Sequence, residues 1–286
     1  NYVDRTITKA IQNQDAIYAI HTNLDNVHTG VNKKIAEQLG LTNLHILAPR
    51  AHTLLKLVTF IPPDHAENVA NHLFSAGAGQ VGNYKNCSFS VSGEGTFLPT
   101  ENTNPFQGTR GKLERASEVR LEVILPEPAR ARVLQALKAN HPYEEVAYYL
   151  TVLENDNQEV GAGMIGDLAT PLPAMAFLEH VKFKMNTGCV RYTPLPQKTI
   201  KKVAICGGSG SFLLPKAIAR GADAFVSADF KYHEFFDAEG KILIADIGHY
   251  ESEQFTKDLL TAFLRENFPT FAIAFSKVVT NPICYL

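Results

Sequence analysis

A short apolar run that passes through a glycine into an amphipathic helix limits this chain more than any other stretch: KILIADIGHYESEQFTKDLLTAFLRENF, residues 241–268. Ile242, Leu243, Ile244 and Ala245 show no polar alternation, the pattern of a strand buried on both faces of a parallel sheet. Gly248 supplies the turn. Beyond it Phe255, Leu259, Leu260, Phe263 and Leu264 recur so that, at about 100° per residue, they cover one helix face. His249 and Glu253 are four residues apart and stack on one side. A helical wheel puts both on the apolar side and leaves Glu251, Gln254 and Asp258 outside it. A carboxylate turned toward a core needs a partner, and a metal ion would serve, because His and Glu are both good ligands. The same pair also reads as a solvated helix end with the Glu favoured by the helix dipole. Its position past the carboxyl end of a parallel strand, where open α/β sheets place ligands, raises the metal reading.

The length of 286 residues is enough for two domains. A net charge of −2 argues against bulk nucleic-acid or membrane-surface binding. No apolar run approaches the roughly 20 residues of a membrane span. Cys87, Cys189, Cys206 and Cys284 form no CxxC pair and read as reduced thiols of a cytoplasmic protein. The opening NYVDRTITKAIQNQ is polar, without a signal-peptide pattern. It begins on a helix, and no methionine or leading strand precedes it, so a further N-terminal portion is expected.

In order, the spacing predicts a helix over 3–12 and a strand over 16–20 that runs into His21-Thr22-Asn23-Leu24-Asp25. His21 and Asp25 read equally as ligands or acid–base groups and as caps of a strand and of the next helix, 31–39, which Gly40 ends. A different pattern follows. Strands are predicted at 54–60, 84–92, 95–98, 118–125 and 146–153, with helices at 63–76 and 127–140 and a long loop at 102–113. That order describes a ferredoxin-like sandwich. Gly77-Ala78-Gly79-Gln80-Val81-Gly82 fits GxGxxG but follows a helix and precedes a strand, the reverse of a dinucleotide site, so it reads as a turn. His141-Pro142-Tyr143-Glu144-Glu145 reads as a helix-to-strand connection with a packed Tyr in preference to a site.

From Gly161 the α/β pattern resumes, with a helix at 173–184, a short strand at 189–192 and a strand at 201–206. Gly207-Gly208-Ser209-Gly210-Ser211 then opens a helix to Arg220, as an anion-binding turn or a plain tight turn. A strand over 224–228 ends in Asp229-Phe230-Lys231-Tyr232-His233-Glu234, and a last strand is expected over 271–279. Three strand ends therefore carry His or carboxylates: His21 with Asp25, Asp229 with His233, and His249 with Glu253. The architecture is α/β: one domain from 1–50 and 158–286, interrupted by a ferredoxin-like insert over 53–154.

HTNLD (21–25), SADFKYHE (227–234) and GHYESE (248–253) together resemble the Nif-three-like proteins, also known as type 2 homologues of GTP cyclohydrolase I. GAGQVGNYKNCSF (77–89), GEGTFLP (93–99) and HPYEEVAYY (141–149) resemble the CutA/PII-like insert of the longer bacterial members. The six motifs fall in the right order over nearly the whole chain. The resemblance implies a site for two divalent metal ions, with ligands on Asp25, His249 and Glu253. His21 and His233 would stand beside the metals as acid–base or supporting groups. The family site also draws on an adjacent pair of histidines upstream of HTNLD, which this chain lacks. On this reading the protein is a dinuclear metal-dependent hydrolase using zinc, iron or manganese. Its substrate is a small molecule or nucleotide, with GTP ring opening the narrower form, and it assembles as a toroidal homo-hexamer. The rival is a non-enzymatic metal-binding regulator or scaffold.

Overall fold

The computed structural model describes residues 1–285, and the chain divides into two compact units, Asn1–Pro49 with Gln158–Leu286 and Arg50–Asn157. The first opens with α1 (Tyr2–Asn13), α2 (Thr22–Asp25), α3 (Val31–Leu39) and β1 (Leu41–Pro49). The second comprises β2 (Leu54–Ile61), α4 (Pro63–Ser75), β3 (Ser88–Phe97), β4 (Glu114–Pro126), α5 (Arg130–Asn140) and β5 (Tyr148–Leu153). The first resumes with β6 (Gly161–Leu172), α6 (Ala174–Lys184), β7 (Arg191–Tyr192), β8 (Ile200–Ser209), α7 (Leu214–Ala219), β9 (Ala224–Ala228), β10 (Leu243–Asp246), α8 (His249–Glu253) and α9 (Thr256–Asn267).

In the discontinuous unit six strands lie in the order β1-β6-β8-β9-β10-β7. Only β8, β9 and β10 run parallel; β1, β6 and β7 pair antiparallel. Every residue of β9 and β10 is buried. Side chains alternate between two cores because successive strand residues face opposite ways. Val203, Ile205, Leu243 and Ala245 pack with Val31, Ile35 and Phe177 on one face. Ala204, Phe225 and Ile244 pack with Leu213 and Phe230 on the other.

Several sequence expectations are corrected. Residues 16–20 form no strand, and Ile17 and Tyr18 are exposed. The antiparallel side of the sheet is instead built by β1 and β6, which the pattern did not reveal. Residues 271–279 are likewise outside any strand, with Phe271, Val278 and Val279 exposed. The helix after Gly248 is two helices, α8 and α9, and Phe263 and Leu264 on the supposed core face are exposed. α1 forms behind an Asn1–Asp4 capping box but buries none of its residues.

The unit Arg50–Asn157 is an antiparallel sheet in the order β3-β4-β2-β5. With α4 following β2 and α5 following β4, this is the split βαβ arrangement. Leu55, Leu57, Leu121, Val123 and Leu125 meet Val69, Leu73, Val133 and Leu137 in its core. β3 is one strand, not two: its register with β4 is unbroken from Ser88↔Val123 to Phe97↔Glu114. The GxGxxG segment is the turn between α4 and β3, with Gly77, Gly79 and Gly82 at positive φ. Among the described residues no helix is long and apolar enough to cross a membrane.

Candidate functional site

The carboxyl ends of β8, β9 and β10 bring polar groups together. β10 runs through Ile247 to Gly248, whose φ of 90° is open to glycine; a Cβ there would lie 2.4 Å from Glu251 Oε2. The chain then enters α8 with His249 as its first residue and Glu253 as its last. His249 Nε2 faces Glu253 Oε2 at 3.6 Å. On its other side His249 Nδ1 is 2.6 Å from Asp229 Oδ2. Asp229 follows β9 directly and holds a left-handed φ of 58°, uncommon outside glycine.

The first two residues of the glycine-rich turn serve as scaffold. Gly207 and Gly208 lie within β8, and their amides are taken: Gly207 N–H donates to Asn32 Oδ1 at 3.0 Å and Gly208 N–H to Ser252 Oγ at 2.8 Å. Those two amides are therefore not available to an anion. Gly208, at φ 64°, floors the site: an added Cβ would stand 2.6 Å from Glu253 Oε1 and 3.2 Å from His249 Cε1. Asn32, itself buried, also donates to the Asp25 carbonyl at 2.8 Å. This bond carries Asp25, the last residue of α2, into the neighbourhood of His249 and Glu253. His21 sits at the N-terminal boundary of α2.

The electrostatics tie these groups together. Burial pushes the Asp25 carboxyl above its ordinary range, against the opposing pull of His21 and His249. Burial likewise raises Glu253, helped by Asp25 and Asp229 and opposed by His249 and His21. The bond to Asp229 raises His249 against desolvation, with Glu253 and Asp25 adding to it. Sequence reasoning missed Cys206, whose buried thiol is pushed up to about 12 by burial and by Asp25 and Glu253. Only its place in β8, one residue before the paired glycines, could have signalled it.

Asp25 and Glu253 thus both feel His21 and His249, and Asp229 joins them through its bond to His249. His233 lies in a short 3₁₀ turn, Tyr232–Ala238, where its ring packs edge-on to Tyr232 at 5.2 Å between centroids. The helical wheel misassigned Glu251. It is buried, accepts from Asn281 Nδ2 at 2.9 Å, and leaves Oε2 with no hydrogen-bond partner, whereas the His249 side chain is 48% exposed. α8 ends before the apolar residues that the wheel was drawn on, so their face does not set its orientation. Among the described residues, no three His, Cys, Asp or Glu side chains converge closely enough to enclose an ion as they stand.

The sequence matches the model of the Duf34/NIF3 (NGG1p interacting factor 3) family over residues 1–282, and the chain belongs to that family. It is 38% identical to the GTP cyclohydrolase 1 type 2 homolog of Halalkalibacterium halodurans, over 99% of this chain and 77% of that protein. The Bacillus subtilis protein of the same name is 37% identical with the same coverage. The crystal structure of a Bacillus cereus protein related to NIF3 superposes with a TM-score of 0.85 at 38% identity, over 99% of this chain and 77% of that one.

Proposed function

We propose that the sheet-edge site binds divalent metal and that the protein is a metal-dependent hydrolase. What carries the reading is the His249 geometry. Its Nδ1 is held by Asp229, which leaves Nε2 directed toward a Glu253 carboxylate 3.6 Å away. A carboxylate on the far nitrogen is how a ligating imidazole is fixed in one tautomer and made more basic. The donor set, two carboxylates and an imidazole, suits zinc, iron or manganese. Asp25, His249 and Glu253 would hold the metal, and two ions would need donors beyond these three. A bound ion would supply Lewis-acid stabilisation of developing charge and a more acidic water. Asp229 orients His249. His21, whose charge Asp25 and Glu253 both feel, would accept or return a proton at the site, and His233 would be a supporting group.

GTP cyclohydrolase-type ring opening is the narrower form, drawn from the relatives' name, and a name shared within a family is weak evidence of substrate. We extend the same reading to a CutA/PII-like insert, a homo-hexamer and a cytoplasmic location, the last in keeping with four free cysteines. The second reading is a regulator or scaffold whose metal is not catalytic, in which the protein closes the ion's shell and leaves no open position. Elemental analysis and calorimetric titration with zinc and manganese, followed by turnover of a nucleotide and phosphoester panel, decide between them. Metal-dependent turnover that Glu253→Ala abolishes in a folded protein supports the hydrolase. Metal binding without turnover supports the scaffold, and no binding removes both.

A further inference from the structure

The unit Arg50–Asn157 contains a cavity of about 420 Å³ that shares no residue with the sheet-edge site. Its wall is aromatic. Tyr143 stands between Phe97 and Phe106, with ring centroids 6.5 and 6.0 Å away. Phe60 and Tyr149 meet edge to face at 5.7 Å and line it as well. Its charge has one sign: Glu118, Glu144 and Glu145 line it, and no Lys, Arg or His does.

Two histidines touch the lining rings, His65 against Phe106 and His141 against Tyr143. His141 is buried, bonds the Phe60 carbonyl through Nε2 and accepts the Tyr143 amide on Nδ1, the pattern of a neutral ring. Burial also lowers its pKa, so it adds no positive charge at neutral pH.

The pocket is built around Glu118. Gly95 on the neighbouring strand makes room for it, since a Cβ at that position would lie 2.2 Å from Glu118 Oε2. The Tyr143 hydroxyl donates to Glu118 Oε1 at 2.9 Å and accepts from Gln107 Nε2 at 2.9 Å. The loop that carries Phe106 and Gln107 is tied down by the Asn104 amide, which donates to Glu144 Oε1 at 2.7 Å.

We propose that this cavity binds a small organic cation, an ammonium or quaternary ammonium group carried on an apolar body. Ring faces attract a cation through their quadrupole, and the carboxylates supply the countercharge. A neutral apolar ligand would desolvate Glu118 without compensation, and an anion would meet three like charges.

The test titrates the full chain by NMR with benzyltrimethylammonium, benzyl alcohol and phenylacetate, which share a ring and differ in charge. The cation is expected to bind saturably and well ahead of the other two. Glu118→Gln, which keeps an acceptor for Tyr143, and Phe106→Leu should each weaken it roughly tenfold. Should Glu118→Gln fail to fold, the exposed pair Glu144→Gln and Glu145→Gln stands in, and together they should weaken the cation about threefold while sparing benzyl alcohol. Equal affinity for alcohol and cation, affinity indifferent to these substitutions, or no saturable binding of the cation would each overturn the proposal. The residues probed lie outside the sheet-edge site, so the result is independent of the metal reading.

Discussion

Gly208→Ala tests the sheet-edge site through its floor. The backbone cost comes from φ 64°, a left-handed conformation that disfavours alanine by about 1–2 kcal/mol. The steric cost falls on Glu253: the new methyl would lie 2.6 Å from Oε1, closer than real Cβ contacts come, and 3.2 Å from His249 Cε1, tighter than most. The Glu253 side chain is 28% exposed, so its carboxylate can swing aside without disturbing the core. The variant should therefore fold, with a melting temperature lower by a few degrees, about what 1–2 kcal/mol implies for a unit of this size. Displacing one carboxylate from the His249–Glu253 pair should weaken zinc or manganese binding by at least the roughly 10–100-fold seen for lost supporting groups. Calorimetry reads the affinity, and scanning calorimetry without metal reads the stability. Gly207→Ala is the comparison. Its Cβ would press on Val31 and Ile35 at 3.0 and 3.1 Å but stay 3.5 Å from Glu253 Cγ. It should cost stability and leave metal affinity nearly intact. Native affinity in Gly208→Ala, or equal losses in both variants, would refute the placement of Glu253 as a ligand.

Asp229→Asn keeps a side chain that tolerates positive φ and removes the charge behind His249; metal affinity should fall roughly tenfold with the far-ultraviolet spectrum unchanged. Asp223 accepts from the Lys201 and Lys202 amides at 3.0 and 2.9 Å and pairs with Lys198 Nζ at 2.7 Å. Burial pushes its carboxyl up, but these bonds prevail and hold it below its ordinary 3.8. A depressed carboxyl stabilises above its unfolded pKa and loses that contribution as pH falls through the folded one. Asp223→Asn should thus cost about 1 kcal/mol at pH 7, and chemical denaturation should show the gap closing below about pH 3.8.

The parallel strands β9 and β10 were legible because burial on both faces leaves runs that are apolar apart from the buried Ser227 and Asp246. Ala224–Ala228 and Leu243–Asp246 could hardly be read otherwise. β1 and β6 were not legible, for physical reasons. β1 carries Thr42, Asn43 and His45 around a register shift, with Asn43 at positive φ. β6 contains Gly161, Gly163 and Gly166, poor strand formers in the abstract. Here they permit close backbone approach, since Cβ atoms on Gly163 and Gly166 would lie 2.8 Å from the carbonyls of Ile205 and Thr42. The apolar run at 16–20 misled in the opposite direction, because hydrophobicity alone cannot say whether a pairing edge is available. At the site, the four-residue spacing of His249 and Glu253 survived. Asp229 and the depth of Glu251 depended on left-handed turns at 229 and 248, whose orienting effect no periodicity encodes.

The bonds by which Asn32 and Ser252 mount the site all grip main chain. Asn32 holds the carbonyl of Asp25 and the amide of Gly207, and Ser252 holds the amide of Gly208 and the carbonyl of His249. None of these depends on what residues 25, 249 or 253 carry as side chains. Mount and reagent are therefore separable. A lineage could exchange the donors for others, or discard them, while the platform kept its shape. Close backbone superposition between relatives is then compatible with different chemistry at the same edge.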